Sequence, residues 1–579
     1  MKNLLWLLAL LAVGCAQHAD KKPPAPLTAI TQASGGDMPD VQKNLHFNKA
    51  ELHWQVFPEQ QRISGHAVLT FTAKAALSNL SVDLDPQLGI SQVMFNQTPL
   101  PSTHWRNPEG RLFIQLPETV ALNHAFTITV DYAGKPHVAK KAPWDGGFVW
   151  AKTADGQPWI ATAVEGEGCD LFWPCIDQPT GEPDSAELFI TVPAPLVAPS
   201  NGIFKGMTEN DGWRTYHWQV NQPNTYAIAL NIAPYKKLEA TYHSRFGNRY
   251  PMDYWYLQGE EQQAQVLFAE FPTQLDFFEQ MIGPYPFGDE KMGVVHTPFL
   301  GMEHQTINAY GNGYAQSIFG YDGLLQHELA HEWFGNQVTN ANWDDYWLHE
   351  GFGTYMQPLY AQYLWGNMAY NAELYQIRAK ITNKAAVVSG QSQTEESVYD
   401  AERGPGQDIY NKGALVLHTL RHYLGDDKFF QAVRELVYGT ATPQPGNFKP
   451  RYSSTQEFIE IVNRISGQDM HWFFDNYLYQ AQLPKLAVNR NGEQLQLRWL
   501  QTKSAFPMPV EVMVDGELHT VAMPTGQGSL NIGAAARVQV DPQQYILKDR
   551  PHFAIYHAWE KARRAQAAPA KNKSAKNRH

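Results

Sequence analysis

The residues of this chain best equipped for chemistry lie in one short run, His327-Glu328-Leu329-Ala330-His331. Positions four apart share a face of an α-helix, so both imidazoles can reach one metal ion, and Glu328 projects toward the same point. Zinc takes N, O or S ligands in a tetrahedron, and a catalytic site leaves one position to water. Bound zinc lowers the pKa of water from about 15.7 to about 7, and a nearby carboxylate can take the proton as that water attacks a carbonyl. Glu328 is the candidate base. The third candidate ligand is Glu350, nineteen residues after His331. The interval holds a helix stop at Gly335, a loop and a fresh helix start near Tyr346, so a second helix can return antiparallel and bring a carboxylate to the metal. The pattern predicts one zinc per chain, on His327, His331 and Glu350, in a hydrolase.

Other elements must hold these side chains in place. Asp322 can cap a helix running to Gly335, and Asp344 or Asp345 can cap the next; either aspartate could also orient a ligand imidazole. Apolar residues mark helical faces over 411–424 and 455–465, and residues 236–482 read as a mainly helical catalytic domain. Upstream, over 41–235, the period is that of strands: Ile63, Ala67, Leu69, Phe71 and Ala73 alternate with polar or small residues, as do Phe126, Ile128, Val130 and Tyr132. Downstream, over 483–550, Leu495, Leu497 and Trp499 alternate, then Val510, Val512 and Val514, and Asp515-Gly516 is a two-residue hairpin signal. The expected fold is multidomain α+β: a β-rich saddle or sandwich, a helical catalytic domain and a small β-sandwich. The length of 579 residues is too great for a single core.

A formal net charge of −12 argues against a nucleic-acid partner. An acidic surface is sufficient for solubility and would also suit a cationic ligand. Residues 551–579 are basic and core-poor, and from Glu560 onward the tail carries about +6 against about −18 for the rest. It reads as a disordered tail. At the other end, Met1-Lys2-Asn3 precedes the apolar run Leu4–Val13, too short to span a bilayer but suited to a signal peptide. It ends Leu11-Ala12-Val13-Gly14-Cys15, which resembles a bacterial lipobox and implies a signal over 1–15 and a lipid on Cys15. With Ala16 next, the resemblance implies a periplasm-facing protein on the outer membrane. Residues 16–40, rich in Pro, Ala, Gly and Ser, read as a flexible tether. Cys169 and Cys175 could pair as a disulfide or stand as two buried thiols.

Residues 327–352, HELAHEWFGNQVTNANWDDYWLHEGF, resemble the zinc signature of the aminopeptidase N-like gluzincins, with His349 where that family has Asn or Lys. Further segments match in order. Leu300-Gly301-Met302-Glu303-His304 resembles the family's Gly-x-Met-Glu-Asn motif, with Leu300 and His304 departing from it. The resemblance makes Gly301, Met302 and Glu303 substrate-binding, Glu303 holding the free α-amine. Thr162-Ala163-Val164-Glu165 and Trp173-Pro174-Cys175-Ile176-Asp177-Gln178-Pro179 are similar to a stretch of the N-terminal domain, making Glu165 a second amine ligand, with Glu167 as the alternative register. Ile409-Tyr410-Asn411-Lys412-Gly413-Ala414 makes Tyr410 the oxyanion donor. The resemblance implies a thermolysin-like catalytic domain and a zinc aminopeptidase acting on peptides with a free N-terminus. Longer members add a large helical C-terminal domain over the cleft; its absence here implies a more open site. Two other readings stay open on sequence: an epoxide-opening hydrolase, as in one branch of the family, and a silent binding protein on the same scaffold.

Overall fold

The computed structural model describes residues 26–550 except Asn447, and some positions between 555 and 563. Cys15, the signal segment 1–15 and most of the basic tail lie outside the described residues.

The alternating runs form the N-terminal sheet. Its eight strands run in the order Ile203–Asn210, Trp213–Asn221, Ser185–Pro193, Leu45–Phe57, Arg62–Ala73, Ala125–Gly134, Leu88–Phe95 and Thr98–Pro99. Every second residue of Arg62–Ala73 is buried, the period of a strand with one face on a core. Leu69 lies opposite Ile128 and Phe71 opposite Phe126. Two three-stranded sheets complete this part of the chain, one of them carrying Pro158–Ala163, the strand that leads to Glu165. Cys169 and Cys175 are joined as a disulfide just beyond it.

The composition of residues 16–40 predicts a loose tether, but residues 26–40 are docked. Thr31 and Ser34 are buried. Thr28 Oγ1 donates to the Glu109 carbonyl, and Ser34 donates to Asp177 at 3.2 Å. Ser392 of the helical domain donates to Asp37. Gly35 lies against the indole of Trp343, where a Cβ would fall 1.6 Å from Nε1. Glycine and small hydroxyl residues here allow close backbone approach and local hydrogen bonds rather than flexibility.

The region from 236 also begins differently from its helical reading. A five-stranded sheet comes first, in the order Lys236–His243, Arg249–Tyr256, Met292–His296, Asn308–Tyr310, Gly301–Met302. Helices follow: Gly323–Ala330, Trp347–Trp365, Asn367–Ala379, Asp408–Leu424, Asp426–Tyr438 and Thr455–Ser466 among them. Beyond residue 484 two three-stranded sheets form, and the Val510–Val514/Glu517–Val521 hairpin turns at Asp515-Gly516, both with positive φ. Among the described residues no helix is long and apolar enough to cross a membrane.

One crossing brings the chemistry together. The Trp347–Trp365 and Asp408–Leu424 helices meet glycine to glycine: a Cβ on Gly413 would lie 2.9 Å from the Gly351 Cα. Gly351 follows Glu350 and Gly413 lies three residues after Tyr410, so this contact sets the separation of those side chains. Alanine in an open helix position is favoured over glycine by about 1 kcal/mol. At Gly413 the expected result is the reverse: Gly413→Ala destabilises by about 1–3 kcal/mol through overpacking, read as a lower midpoint in thermal unfolding. A raised midpoint would mean the helices have room to spare.

Candidate active site

The first imidazole pair is built by a well-capped helix. Asp322 Oδ1 accepts from Leu324 N–H and Leu325 N–H, both at 3.0 Å, and Oδ2 accepts from the Tyr310 hydroxyl. The regular helix ends at Ala330, short of the expected stop. Tight turns follow as far as Gly335, whose φ of +149° redirects the chain. Within them the Phe334 carbonyl stands 2.8 Å from His331 Nδ1. A carbonyl can only accept, so Nδ1 carries the proton and Nε2 is left bare for a metal.

The three expected ligands converge. His327 Nε2 and His331 Nε2 are 3.2 Å apart, and Glu350 Oε2 is 3.4 and 3.5 Å from them. Donor atoms about 2.0–2.1 Å from a tetrahedral zinc stand about 3.3–3.4 Å apart. Glu350 Oε2 is buried with no hydrogen-bond partner among the described residues. Burial works against a charge on Glu350, yet the neighbouring His331 and His327 imidazoles hold its carboxyl below the usual range. Burial likewise opposes a proton on His331, but the Glu303 and Glu350 carboxylates push it up to about 10. The field that would retain a proton there is available to a metal cation. The donor set and spacing fit zinc.

Glu328 is buried, and its Oε1 lies where a Cβ on Gly301 would come within 2.4 Å. Gly301 thus makes room for the base. Burial, then the Glu303 charge, push the Glu328 carboxyl well up. Gly301–Met302 is an edge strand. Met302, expected among the substrate-binding residues, is buried and packs in the core.

Glu303 and Glu165, from two different domains, meet with His349. One ligand atom of each lies within 4.8 Å of the others. Glu167, the alternative register, is not in this group. The Tyr226 hydroxyl donates to Glu303 at 2.9 Å, and the Tyr346 hydroxyl donates to Glu165. His349 Nε2 accepts the Asn340 N–H at 2.9 Å, and burial lowers the imidazole to about 3. It is neutral and opposes no cation. Burial, then Glu303, raise the Glu165 carboxyl well above its usual value. The arrangement is a buried anionic pocket suited to an ammonium. His304, next to Glu303, is wholly buried with neither ring nitrogen partnered, and burial lowers it to about 3. Leu300 is 40% exposed.

Tyr410 opens the Asp408–Leu424 helix, its ring stacked 6.3 Å from that of His327. Its hydroxyl is 2.6 Å from that of Tyr399. Burial, then Glu350, raise its pKa well above the usual phenol value, so it remains a hydrogen-bond donor. Asp344 and Asp345 do neither of the expected jobs. Asp344 accepts from Ser389 and Gly390 N–H groups, and Asp345 from Thr455 N–H. A short 3₁₀ turn, capped by Asn342, occupies the place where they would have capped the helix. Sequence reasoning missed Tyr226, Tyr346 and Tyr399. Only Tyr346, four residues before Glu350 on the same helical face, carried a positional signal.

With this geometry in view, residues 315–477 match the peptidase family M1 domain, and residues 43–226 the peptidase M1 N-terminal domain. Glutamyl aminopeptidase of Rattus norvegicus is 23% identical over 523 residues, 81% of this chain and 50% of that protein. The mitochondrial aminopeptidase 2 of Saccharomyces cerevisiae is 25% identical over 393 residues, 62% of this chain and 39% of that protein. The chain thus spans half or less of these relatives. A mutant M1 zinc metallopeptidase from Deinococcus radiodurans, solved with a Tyr-Ser-Ala substrate, superposes with a TM-score of 0.62 at 25% identity, over 76% of this chain and 96% of that one.

Replacing Glu350 by the isosteric glutamine is expected to weaken zinc binding by more than the ~10–100-fold that outer-sphere partners cost. Competition against a chromophoric chelator measures it; unchanged affinity would remove Glu350 from the ligand set.

Proposed function

We propose that this chain, which belongs to peptidase family M1, is a zinc-dependent aminopeptidase that removes N-terminal residues from peptides. The observation that carries this reading is the pairing of two sites. The zinc-fitting triangle of His327, His331 and Glu350 lies beside the anionic pocket of Glu165 and Glu303, close enough for Glu303 to act on both Glu328 and His331. A metal triangle alone supports only a hydrolase; a buried ammonium site next to it selects a substrate end.

Zinc, when held by the three ligands, supplies Lewis acidity toward a water and the scissile carbonyl. The chain's own residues do the rest. Glu165 and Glu303 hold the α-ammonium and so fix which bond is presented. Glu328 takes the proton of the attacking water at its carboxylate and returns it to the leaving amine. Tyr410 donates to the oxyanion, a role that contributes about 2.7–4 kcal/mol where one such donor has been removed. The docked residues 26–37 and the disulfide brace the domain that supplies Glu165.

Glu328→Gln is expected to abolish turnover of aminoacyl reporters while zinc content stays at one per chain, and N-acetylation of the reporter should block cleavage by the unaltered enzyme. Cleavage of the acetylated reporter at the free-amine rate would point to an endopeptidase.

We further propose, from the run ending at Gly14-Cys15, that a lipid on Cys15 holds the enzyme on the periplasmic side of a bacterial outer membrane. Cys15→Ser should shift the protein from the membrane to the soluble fraction and abolish labelling by a radioactive fatty acid; an unchanged distribution would refute the anchor.

A further inference from the structure

Beside the paired carboxylates lies a cavity of about 710 Å³. Its lining includes Gly166, the residue after Glu165, and Tyr399, whose hydroxyl pairs with that of Tyr410. Glu395 lines it too, only 6% exposed. It sits at the first position of the short Glu395–Val398 helix, which a reciprocal Thr394/Ser397 cap holds in place. No described group donates a hydrogen bond to its carboxylate. A Cβ on Gly166 would lie 2.8 Å from Glu395 Oε2, so this carboxylate rests on the backbone next to Glu165. Glu167 also lines the cavity, and its Oε2 is buried without a hydrogen-bond partner.

The cations of the rim do not neutralise this pair. Lys140 acts weakly on Glu167, but its ammonium is largely exposed and paired with Asp145 at 3.5 Å. Lys141 stands 5.1 Å over the ring of Trp144. Trp144 and Leu27 supply an apolar flank to the same cavity. Two under-compensated carboxylates and an apolar flank in one cavity match a long side chain with an aliphatic stem and a cationic head.

We propose that this cavity takes the side chain of the substrate's first residue, and that Glu395, assisted by Glu167, selects a basic one, arginine or lysine. The inference rests on the aminopeptidase reading, since Gly166, the neighbour of the amine-binding Glu165, lines the cavity. Burial, then the charges of Glu167 and Glu396, push Glu395 up to about 8, and burial pushes Glu167 to about 7. An incoming guanidinium or ammonium relieves that mutual repulsion, whereas an acidic side chain adds to it.

The test uses the zinc-loaded full chain and aminoacyl reporters of Arg, Lys, Leu and Glu. The expected order in kcat/KM is Arg and Lys above Leu, with Glu lowest. Glu395→Gln should cut the Arg-to-Leu ratio by about 10–100-fold, mainly through KM, the worth of one charged hydrogen bond. Glu395→Asp, which keeps the charge, should recover part of it. A wild-type enzyme that cleaves Leu as well as Arg, or a Glu395→Gln variant that slows all reporters equally, overturns the proposal. Binding of L-arginine against its neutral isostere L-citrulline, measured by calorimetry on the Glu328→Gln protein, separates the two readings. If no reporter is turned over, the aminopeptidase reading fails. Arginine-over-citrulline binding that Glu395→Gln removes still upholds the pocket, and equal binding of the two overturns it.

Discussion

Buried negative charge governs this molecule. Glu165, Glu303, Glu328, Glu350 and Glu395 all approach one water-poor centre, and each of Glu165, Glu328 and Glu395 is pushed toward its neutral form by burial and by its neighbours. An isolated carboxylate would lose its charge in such a place. Here the imidazoles of His327 and His331 compensate only part of it. The site is therefore tuned to accept cations, and the chemistry read from it is a division of cationic roles: a metal at one trio, an ammonium at the other. Tyr226 and Tyr346 complete the arrangement as neutral donors to Glu303 and Glu165, and the Tyr399 hydroxyl pairs with that of Tyr410.

The candidate site was largely legible because its central side chains lie on two helices at spacings that helical geometry interprets. His327 and His331 required only the four-residue rule, and Glu350 only a loop and an antiparallel return. Glu303, Glu165 and Tyr410 were legible by resemblance alone, since nothing in local spacing links a residue of a β domain to one 138 positions later. The supporting tyrosines were hidden for the same reason. In an aromatic-rich chain a single tyrosine is unremarkable until the fold shows which carboxylate its hydroxyl reaches. Gly351 and Gly413 stood inside quoted segments, but their joint role belongs to a crossing of two helices.

The fold divides similarly. Strands with one wet face showed their period, as Arg62–Ala73 does. The strand Met292–His296 is buried at every position. A short apolar run of that kind has no alternation to separate it from a helix, so the five-stranded sheet under the catalytic helices was read as part of them. Asp344 and Asp345 were misjudged because an aspartate before a helix can cap it or serve another segment's N–H groups, and tertiary contacts chose the latter. Residues 26–40 were misjudged because composition cannot distinguish glycine that provides freedom from glycine that permits contact.

That docked segment has a mechanical consequence. It touches the β domain at Glu109 and Asp177, the helical domain at Trp343 and Ser392, and the cavity through Leu27. It joins the two halves that contribute Glu165 and Glu303. Any force drawn along the chain from upstream of residue 26 arrives first at this seam, where Leu27 and Met38 pack against the hydrophobic core. A pull on the N-terminus is thus a pull on a segment that bridges the two halves and lends Leu27 and Gln32 to the cavity lining.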